Sequence, residues 1–366
     1  MRKILLWGAG RVCDYFSKKI KQFYENEISI VGITDSYRTH EDMVSKRDYI
    51  DLISFKETEF DDVVVTVGSY DTFLRIKKFI EDITEGINSI HWYKDYEGEL
   101  RRQRIIKKYK GVDGMEETLE WISRNGLSTR NQFQNQKKII YEMHLDKMNG
   151  YPYIVFEDKK VYYPREYWIE KPENERHIVN FEEDNQYPGS PHLYTYEGHD
   201  IHEGDCIVDA GACEGNFSIK YIEKVKTVYL IEPDTKWRKP LELTFTPWKE
   251  KCRFIWRGLS DHSGDESIDL DTIFQNELKP DFIKMDIEGA ECRALLGGLD
   301  VIKNAHPTMS VCSYHRKNDE RNIRFILEAL GYKTHISNGT MFYADKDIDW
   351  SLDFRKGMVY ADWGDN

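Results

Sequence analysis

No stretch of the 366 residues approaches eighteen consecutive apolar side chains, the length a membrane-crossing helix requires. The opening Arg2-Lys3 and the apolar run at 4–7 imitate a leader peptide, but the run stops at Gly8-Ala9-Gly10-Arg11 and fits a first strand better. Cysteine is sparse: six residues, at 13, 206, 213, 252, 292 and 312, with no C-x-x-C pair. Several lie in apolar runs, which predicts buried thiols in a reducing compartment. A surplus of positive charge is also missing, since 52 Lys and Arg face 65 Asp and Glu for a net charge of −13. Bulk electrostatics therefore oppose nucleic acid, whose binding needs phosphates neutralised by several Lys and Arg. The local exception is Arg101, Arg102, Arg104, Lys107, Lys108 and Lys110. It reads either as a solvated helical face or as a site for an anionic substrate such as a nucleotide sugar or polysaccharide. No helical or solenoid repeat is present. The expectation is a soluble, cytoplasmic protein without a membrane span, long enough for two domains.

What is present is organised around residues 204–233, which read Gly-Asp-Cys-Ile-Val-Asp-Ala-Gly-Ala-Cys-Glu-Gly-Asn-Phe-Ser, then a helical segment, then Thr-Val-Tyr-Leu-Ile-Glu-Pro. Residues 206–209 fit a buried parallel strand, Gly211 and Gly215 a tight turn, and 216–225 a helix with Phe217, Ile219 and Ile222 apolar. A second buried strand ends in Glu232. Strand, glycine turn, helix, strand and acid is the order that holds a nucleoside, with the acid accepting the ribose hydroxyls. A pyrophosphate wants G-x-G-x-x-G and free N–H groups, whereas Asp209 precedes this turn and Glu214 sits inside it. Two acids suit a cationic ligand carrying an amino group and a sulfonium, which describes S-adenosylmethionine.

Further along, 281–289 reads Asp-Phe-Ile-Lys-Met-Asp-Ile-Glu-Gly followed by Ala-Glu, with Gly-Leu-Ser-Asp at 258–261 and Ser-Tyr-His-Arg at 313–316. Together with the Asp209 turn and Glu232-Pro233, this order resembles the FkbM family of class I methyltransferases over roughly residues 187–345. One departure is Cys213, where many class I enzymes have a middle glycine. The resemblance implies an α/β chain of two Rossmann-like domains, the C-terminal one a class I methyltransferase doubly wound sheet with an antiparallel last strand. Its strands are expected at 205–210, 227–232, 252–257, 281–286 and 307–313, with a terminal pair near 333–338 and 340–344. Helices are expected at 216–225, 290–304 and 319–330.

Upstream, residues 3–7, 28–34 and 63–67 read as strands, with helices from the Gly8-Ala9-Gly10 turn to about residue 23 and over 72–83. Asp35 is placed for a ribose there, while Cys13 stands where a third glycine belongs. A nicotinamide or sugar-nucleotide site and a degenerate Rossmann-like domain used for positioning or self-association both remain open. Residues 115–148 look helical, with Leu119, Ile122, Phe133, Ile139, Ile140 and Met143 as inward positions. A hairpin follows at 153–156 and 160–163. Residues 164–199 are polar, aromatic and proline-bearing, which favours a substrate lid contacting ligand through Tyr187, His192 and Tyr194. The domain reading is 1–110 Rossmann-like, 111–150 a helical connector, and 151–366 the methyltransferase domain with its hairpin and lid.

In open α/β sheets ligands sit beyond the carboxyl ends of the strands. With the resemblance, that makes Asp209, Gly211, Ala212, Glu214, Gly215 and Asn216 the methionine end of an S-adenosylmethionine site. Glu232 and Pro233 then serve the ribose, and Ser260 and Asp261 the adenine. His315 is the candidate base for a hydroxyl, since its ordinary pKa near 6.5 suits neutral pH. Asp286 and Glu288 orient the acceptor, or join His315 in holding Mg²⁺ or Mn²⁺. The expected activity is methylation of a hydroxyl, on a sugar or another small molecule. Methylation on nitrogen stays open, as does a nicotinamide-dependent reaction at the first glycine turn.

Overall fold

The computed structural model describes residues 1–36, 49–84, 87, 89–133, 141–168, 185–275, 279–344 and 352–364. The chain divides into two compact units, Met1–Leu127 and Ser128–Asn366. Among the described residues no helix is long and apolar enough to cross a membrane.

The first unit runs β1 (Arg2–Trp7), α1 (Arg11–Tyr24), β2 (Ile28–Thr34), α2 (Leu52–Glu57), β3 (Asp62–Val65), α3 (Tyr70–Ile83), β4 (Ile90–Trp92), α4 (Tyr93–Tyr109) and α5 (Glu116–Asn125). Its four strands form a parallel sheet in the order β2-β1-β3-β4. Both faces of β1 and β3 are buried, which is why residues 4–7 and 63–65 are uninterrupted apolar runs. Helix α1 buries Cys13, Phe16, Ile20 and Tyr24, spaced three and four apart on one face. Cys13 is thus a core residue of that helix. Strand β4 was not legible, because three residues including His91 carry too little pattern. The Asp35 carboxylate accepts from the Ala9 N–H at 2.9 Å, so the acid read as a ribose acceptor braces the glycine turn. The basic run on α4 is partly paired: Arg101 with Glu97, Arg102 with Glu99 at 2.6 Å, and Lys107 with Glu27 at 3.1 Å.

The second unit begins with β5 (His144–Asp146), β6 (Tyr151–Phe156) and β7 (Lys159–Tyr162), a three-stranded antiparallel sheet. The helical reading of 115–148 is corrected here. Helix α5 ends at Gly126 (φ 85°), and His144–Asp146 is a strand; Ile139 and Ile140 lie outside the described residues. The β6–β7 turn places Glu157 and Asp158 at positive φ, the twist that a two-residue hairpin needs.

There follow β8 (Cys206–Ala210), α6 (Asn216–Tyr221), β9 (Thr227–Ile231), α7 (Thr235–Thr244), β10 (Cys252–Ile255), β11 (Gly258–Leu259), β12 (Ser267–Ile268), α8 (Leu270–Phe274), β13 (Phe282–Met285), α9 (Glu291–Leu296), α10 (Leu299–Ala305), β14 (Thr308–Cys312), α11 (Asp319–Ala329), β15 (Tyr332–Ile336), β16 (Met341–Ala344), β17 (Leu352–Arg355) and β18 (Met358–Trp363). Seven strands form the central sheet, ordered β10-β9-β8-β13-β14-β18-β15, with β18 antiparallel to both neighbours. Period-two alternation sends Ile207, Val228, Leu230 and Phe282 to one core and Val208, Tyr229, Ile231 and Ile283 to the other.

The antiparallel strand is β18, which the sequence reading missed. The expected terminal pair is also corrected: β15 pairs with β18, while β16 pairs with β17 in a separate ladder. Gly339 (φ 77°) turns the chain away between them, and a side chain there would meet the Phe133 ring at 2.6 Å. The single helix expected at 290–304 is two, broken at Gly297-Gly298. A Cβ on Gly297 would stand 2.1 Å from the Ser260 carbonyl oxygen, so the break is where two backbones touch. Helix α7 carries Pro240, which masks a helical pattern in sequence.

Candidate active site

Strand β8 delivers the chain into the turn 211–215, and α6 leaves from Gly215. Gly211 has φ 77°, and a Cβ there would fall 1.8 Å from the Asp286 carbonyl oxygen. Only glycine fits. Gly215 (φ 82°) lies against Phe245, while Cys213 takes the left-handed conformation without being glycine (φ 44°). The departure at Cys213 therefore leaves the turn intact.

Asp209 and Lys284 are opposite each other in the β8–β13 register, on the same face. Lys284 Nζ donates to Asp209 Oδ1 at 2.8 Å, to the Gly211 carbonyl at 2.7 Å and to the Ala210 carbonyl at 3.3 Å. Ser218 Oγ donates to Asp209 Oδ2 at 2.6 Å. Asp209, read as a ligand contact, is fully buried and committed to these partners, and it shapes the turn through Lys284. Burial lowers the lysine's pKa, but the carboxylates of Asp209 and Asp286 outweigh it and hold the pKa above the ordinary value.

Glu214 is buried and accepts from Asn216 Nδ2 at 3.1 Å, while Asn216 Oδ1 is buried without a partner. Ala212 is buried behind the turn. Glu232 is buried at the end of β9, where one oxygen accepts from the Cys213 N–H at 3.0 Å and the other from the Asp234 N–H at 2.8 Å. Pro233 beside it is exposed. Ser260 donates to Asp261 Oδ1 at 3.0 Å, an oxygen that also meets His262 at 2.7 Å and Arg293 at 2.9 Å. The Arg293 guanidinium, ahead of His262 and Ser260, holds the Asp261 carboxyl well below the usual carboxylate range.

The carboxyl ends of β13 and β14 supply the second half. Asp286 follows β13 and is a hub. Its Oδ2 accepts from Tyr194 Oη at 2.7 Å and lies 3.3 Å from His192 Nε2. Its Oδ1 lies 3.4 Å from His315 Nε2 and accepts from Tyr314 Oη at 3.5 Å. Burial would raise the Asp286 pKa, but the hydrogen bond from His192 and the charges of both histidines and Lys284 hold it well below normal. His315 follows β14 and is buried; its Nδ1 meets Glu291 Oε1 at 2.9 Å. A carboxylate only accepts, so Nδ1 carries the hydrogen and Nε2 is left facing Asp286. Burial lowers the His315 pKa, but the Glu291 hydrogen bond and the carboxylates of Asp286, Glu291 and Glu288 prevail and raise it.

Glu291 is the residue that the sequence reading passed over. It is fully buried in the first turn of α9, and its Oε1 also accepts from the Ile287 N–H at 3.0 Å. Glu288, three residues earlier, occupies a left-handed position (φ 55°) with its side chain 87% exposed and Oε2 3.8 Å from His315. The acid that grips His315 is therefore Glu291 rather than Glu288. The signal available was a third acid one helical turn after Glu288. Among the described residues, Asp286, Glu291 and His315 form one group of metal-compatible donors within 4.8 Å, and His192, Asp286 and Cys312 another; Glu288 belongs to neither.

Of the three lid residues, His192 and Tyr194 are buried on Asp286, whereas Tyr187 hydrogen-bonds the Phe133 carbonyl. Tyr194 is fixed from behind. Asp362 meets His199 Nδ1 at 3.0 Å, His199 Nε2 lies 2.9 Å from Ser310 Oγ, and Ser310 donates to the Tyr194 carbonyl at 2.6 Å. A surface hollow of about 620 Å³ elsewhere in the unit, lined by Lys159, Tyr162, Thr244 and Trp248 among others, contains none of these groups. Chemistry, not volume, locates the site.

Residues 257–334 match the family model described as the methyltransferase FkbM domain. The chain carries an FkbM methyltransferase domain. Within the matched span of this methyltransferase lie Ser260, Asp261, Lys284, Asp286, Glu288, Glu291 and His315; the turn 211–215 and Glu232 precede it. Among solved structures, a methyltransferase FkbM from Methylobacillus flagellatus KT is 17% identical, covering 98% of this chain and 90% of its own, with a TM-score of 0.42. A SAM-dependent O-methyltransferase from Thermotoga maritima is 17% identical over 45% of this chain and 62% of its own, with a TM-score of 0.31. A precorrin-6y C5,15-methyltransferase from Geobacter metallireducens GS-15 is 9% identical over 45% of this chain and 82% of its own, with a TM-score of 0.32. No curated protein matches the chain.

Proposed function

We propose that this FkbM methyltransferase uses S-adenosylmethionine to methylate a hydroxyl of a saccharide, with His315 as the base. The observation that carries the reading is the buried Glu291–His315 pair, 2.9 Å apart, with Nε2 turned to Asp286 at the carboxyl ends of β13 and β14. Three features of the glycine-turn end support the cofactor. Each Glu232 oxygen takes one backbone N–H and keeps lone-pair capacity for a ribose hydroxyl. The Glu214 carboxylate and the orphaned Asn216 Oδ1 are acceptors matched to an ammonium group. Asp261 Oδ2 takes no hydrogen bond from a described residue and matches an exocyclic amine.

When bound, S-adenosylmethionine supplies a methyl group on a positive sulfonium. The chain's part is to hold the acceptor hydroxyl and to remove its proton. Nε2 of His315 takes that proton while Nδ1–H stays on Glu291, and the imidazolium formed is stabilised by Glu291 and Asp286. A placed base of this kind contributes roughly 10²–10⁴-fold. Tyr194 and Tyr314 set the Asp286 carboxylate through their hydroxyls.

The test is calorimetric titration of S-adenosylhomocysteine into wild type, Glu232→Ala and His315→Ala, followed by a saccharide acceptor screen with labelled S-adenosylmethionine. Glu232→Ala should abolish binding. His315→Ala should keep affinity within a few-fold while losing turnover. A well-folded wild type that binds no S-adenosylhomocysteine would sink the cofactor assignment, and loss of binding in His315→Ala would sink the role of the histidine.

A further inference from the structure

Near the proposed base lies a buried cation without a counter-ion among the described residues. Arg355, the last residue of β17, is 8% exposed, and no carboxylate among the described residues pairs with it. Its Nη1 donates to the carbonyls of Tyr314 at 2.8 Å and His315 at 2.7 Å, and the guanidinium lies 4.8 Å from the Tyr343 ring centroid. Nε is buried without a partner, and Nη2 donates to no described residue. Among the described residues, three of the five donors are therefore without an acceptor. A guanidinium does not shed its proton, so a charge this deep is strongly unfavourable until an anion meets it. Of the described acids around His315, Asp286 is held by His192, His315, Tyr194 and Tyr314, and Glu288 faces solvent.

The unused edge, Nε with Nη2, is the fork that receives both oxygens of a carboxylate or phosphate. We infer that Arg355 binds an anionic group of the acceptor, so that the saccharide methylated here is an acidic one, bearing a carboxylate or a phosphate. With His315 taken as the base, as proposed above, the guanidinium grips the backbone of the residue that removes the proton. The carbonyl bonds also mean that Arg355 fixes the turn carrying His315, so its loss acts on both binding and positioning.

The experiment is calorimetric titration of the full chain with three probes that share a ring: glucose, glucuronate and glucose 1-phosphate. One of the two anions should bind at least tenfold more tightly than glucose; glucuronate in that role identifies a carboxylate site, glucose 1-phosphate a phosphate site. R355Q should erase the advantage, and R355K, which keeps the charge but not the fork, should retain only part of it. Equal affinity for all three probes, no binding of either anion, or an advantage that survives R355Q would overturn the inference. S-adenosylhomocysteine titrated into the same samples reports the cofactor site separately. Its failure to bind wild type counts against the methyltransferase reading and leaves the anion comparison standing. Should R355Q lose it as well, R355K decides, and a full anion advantage in that variant overturns the inference.

Discussion

Replacing Glu291 by glutamine keeps the size of the side chain and removes its charge. In the fold, that carboxylate is fully buried, accepts from His315 Nδ1 at 2.9 Å and from the Ile287 N–H at 3.0 Å, and is among the groups that raise the His315 pKa. Hydrogen bonds to charged groups are worth about 1.5–3 kcal/mol, and glutamine retains part of this as a neutral acceptor. At about 1.4 kcal/mol per tenfold, complete loss would correspond to roughly ten- to a hundredfold in the step that makes the imidazolium, which sets the upper bound for E291Q. The direction with pH follows from the same contacts. The base works deprotonated, so activity rises with pH through the His315 pKa, and E291Q should move that limb to lower pH. Stability moves with it. A raised histidine pKa contributes stability that is complete below the unfolded value near 6.5 and is lost as pH rises through the folded value. The stability difference between wild type and E291Q should therefore be largest at mildly acidic pH and narrow above the folded His315 pKa. The first assay is NMR titration of the His315 ring, which needs no acceptor, with urea unfolding at several pH values beside it. An unchanged or higher histidine pKa in E291Q would refute the assignment of Glu291.

Lys284→Met should destabilise the second unit by about 3–5 kcal/mol, because it strands the Asp209 carboxylate in the core, and adding Asp209→Asn should recover much of the loss; urea unfolding of wild type and the two variants checks this. A loss below about 1 kcal/mol in the single variant would show that water reaches Asp209. Gly211→Ala should cost at least about 1–3 kcal/mol from its positive φ alone, with more from the 1.8 Å approach to the Asp286 carbonyl, and should weaken S-adenosylhomocysteine by shifting the turn. Full retention of both stability and affinity would contradict that close approach. Tyr194→Phe removes one hydrogen bond to Asp286 and should raise the Asp286 pKa, read by carboxyl-carbon NMR, while leaving the fold stable to within about 1.5–3 kcal/mol.

The strands of the second unit were legible because they are buried on both faces, so that β8, β9, β13 and β14 are nearly unbroken apolar runs between turn residues. Lys284 could be seen in that pattern as an oddity, but its meaning depends on register against Asp209, which periodicity does not contain. The hub around Asp286 was half legible. Asp286 and His315 follow strand ends and could be placed by topology, whereas nothing in the pattern set Glu291 apart from other charged residues until burial singled it out. Glu288 drew attention by sitting two residues after Asp286, but its left-handed backbone turns the side chain out. Strand β18 was missed because it is separated from its partner β14 by a helix and three other strands, two of them paired in a ladder of their own, and no local signal announces such a pairing.

The position of β18 has a consequence for the order in which the sheet is completed. Among the described residues, strand β15 touches the sheet only through β18, so residues 332–336 have no described neighbour to pair with until residues 358–363 arrive, and the edge of β14 stays open for the same interval. Pairing over such a separation is slow to nucleate, and an unpaired edge is a template for other chains. Asp362, on the late strand, also holds the His199–Ser310 link behind Tyr194. Closing the sheet and aligning the tyrosine on Asp286 are then a single event, and a nascent chain that has not placed β18 has neither a sealed edge nor a finished active site.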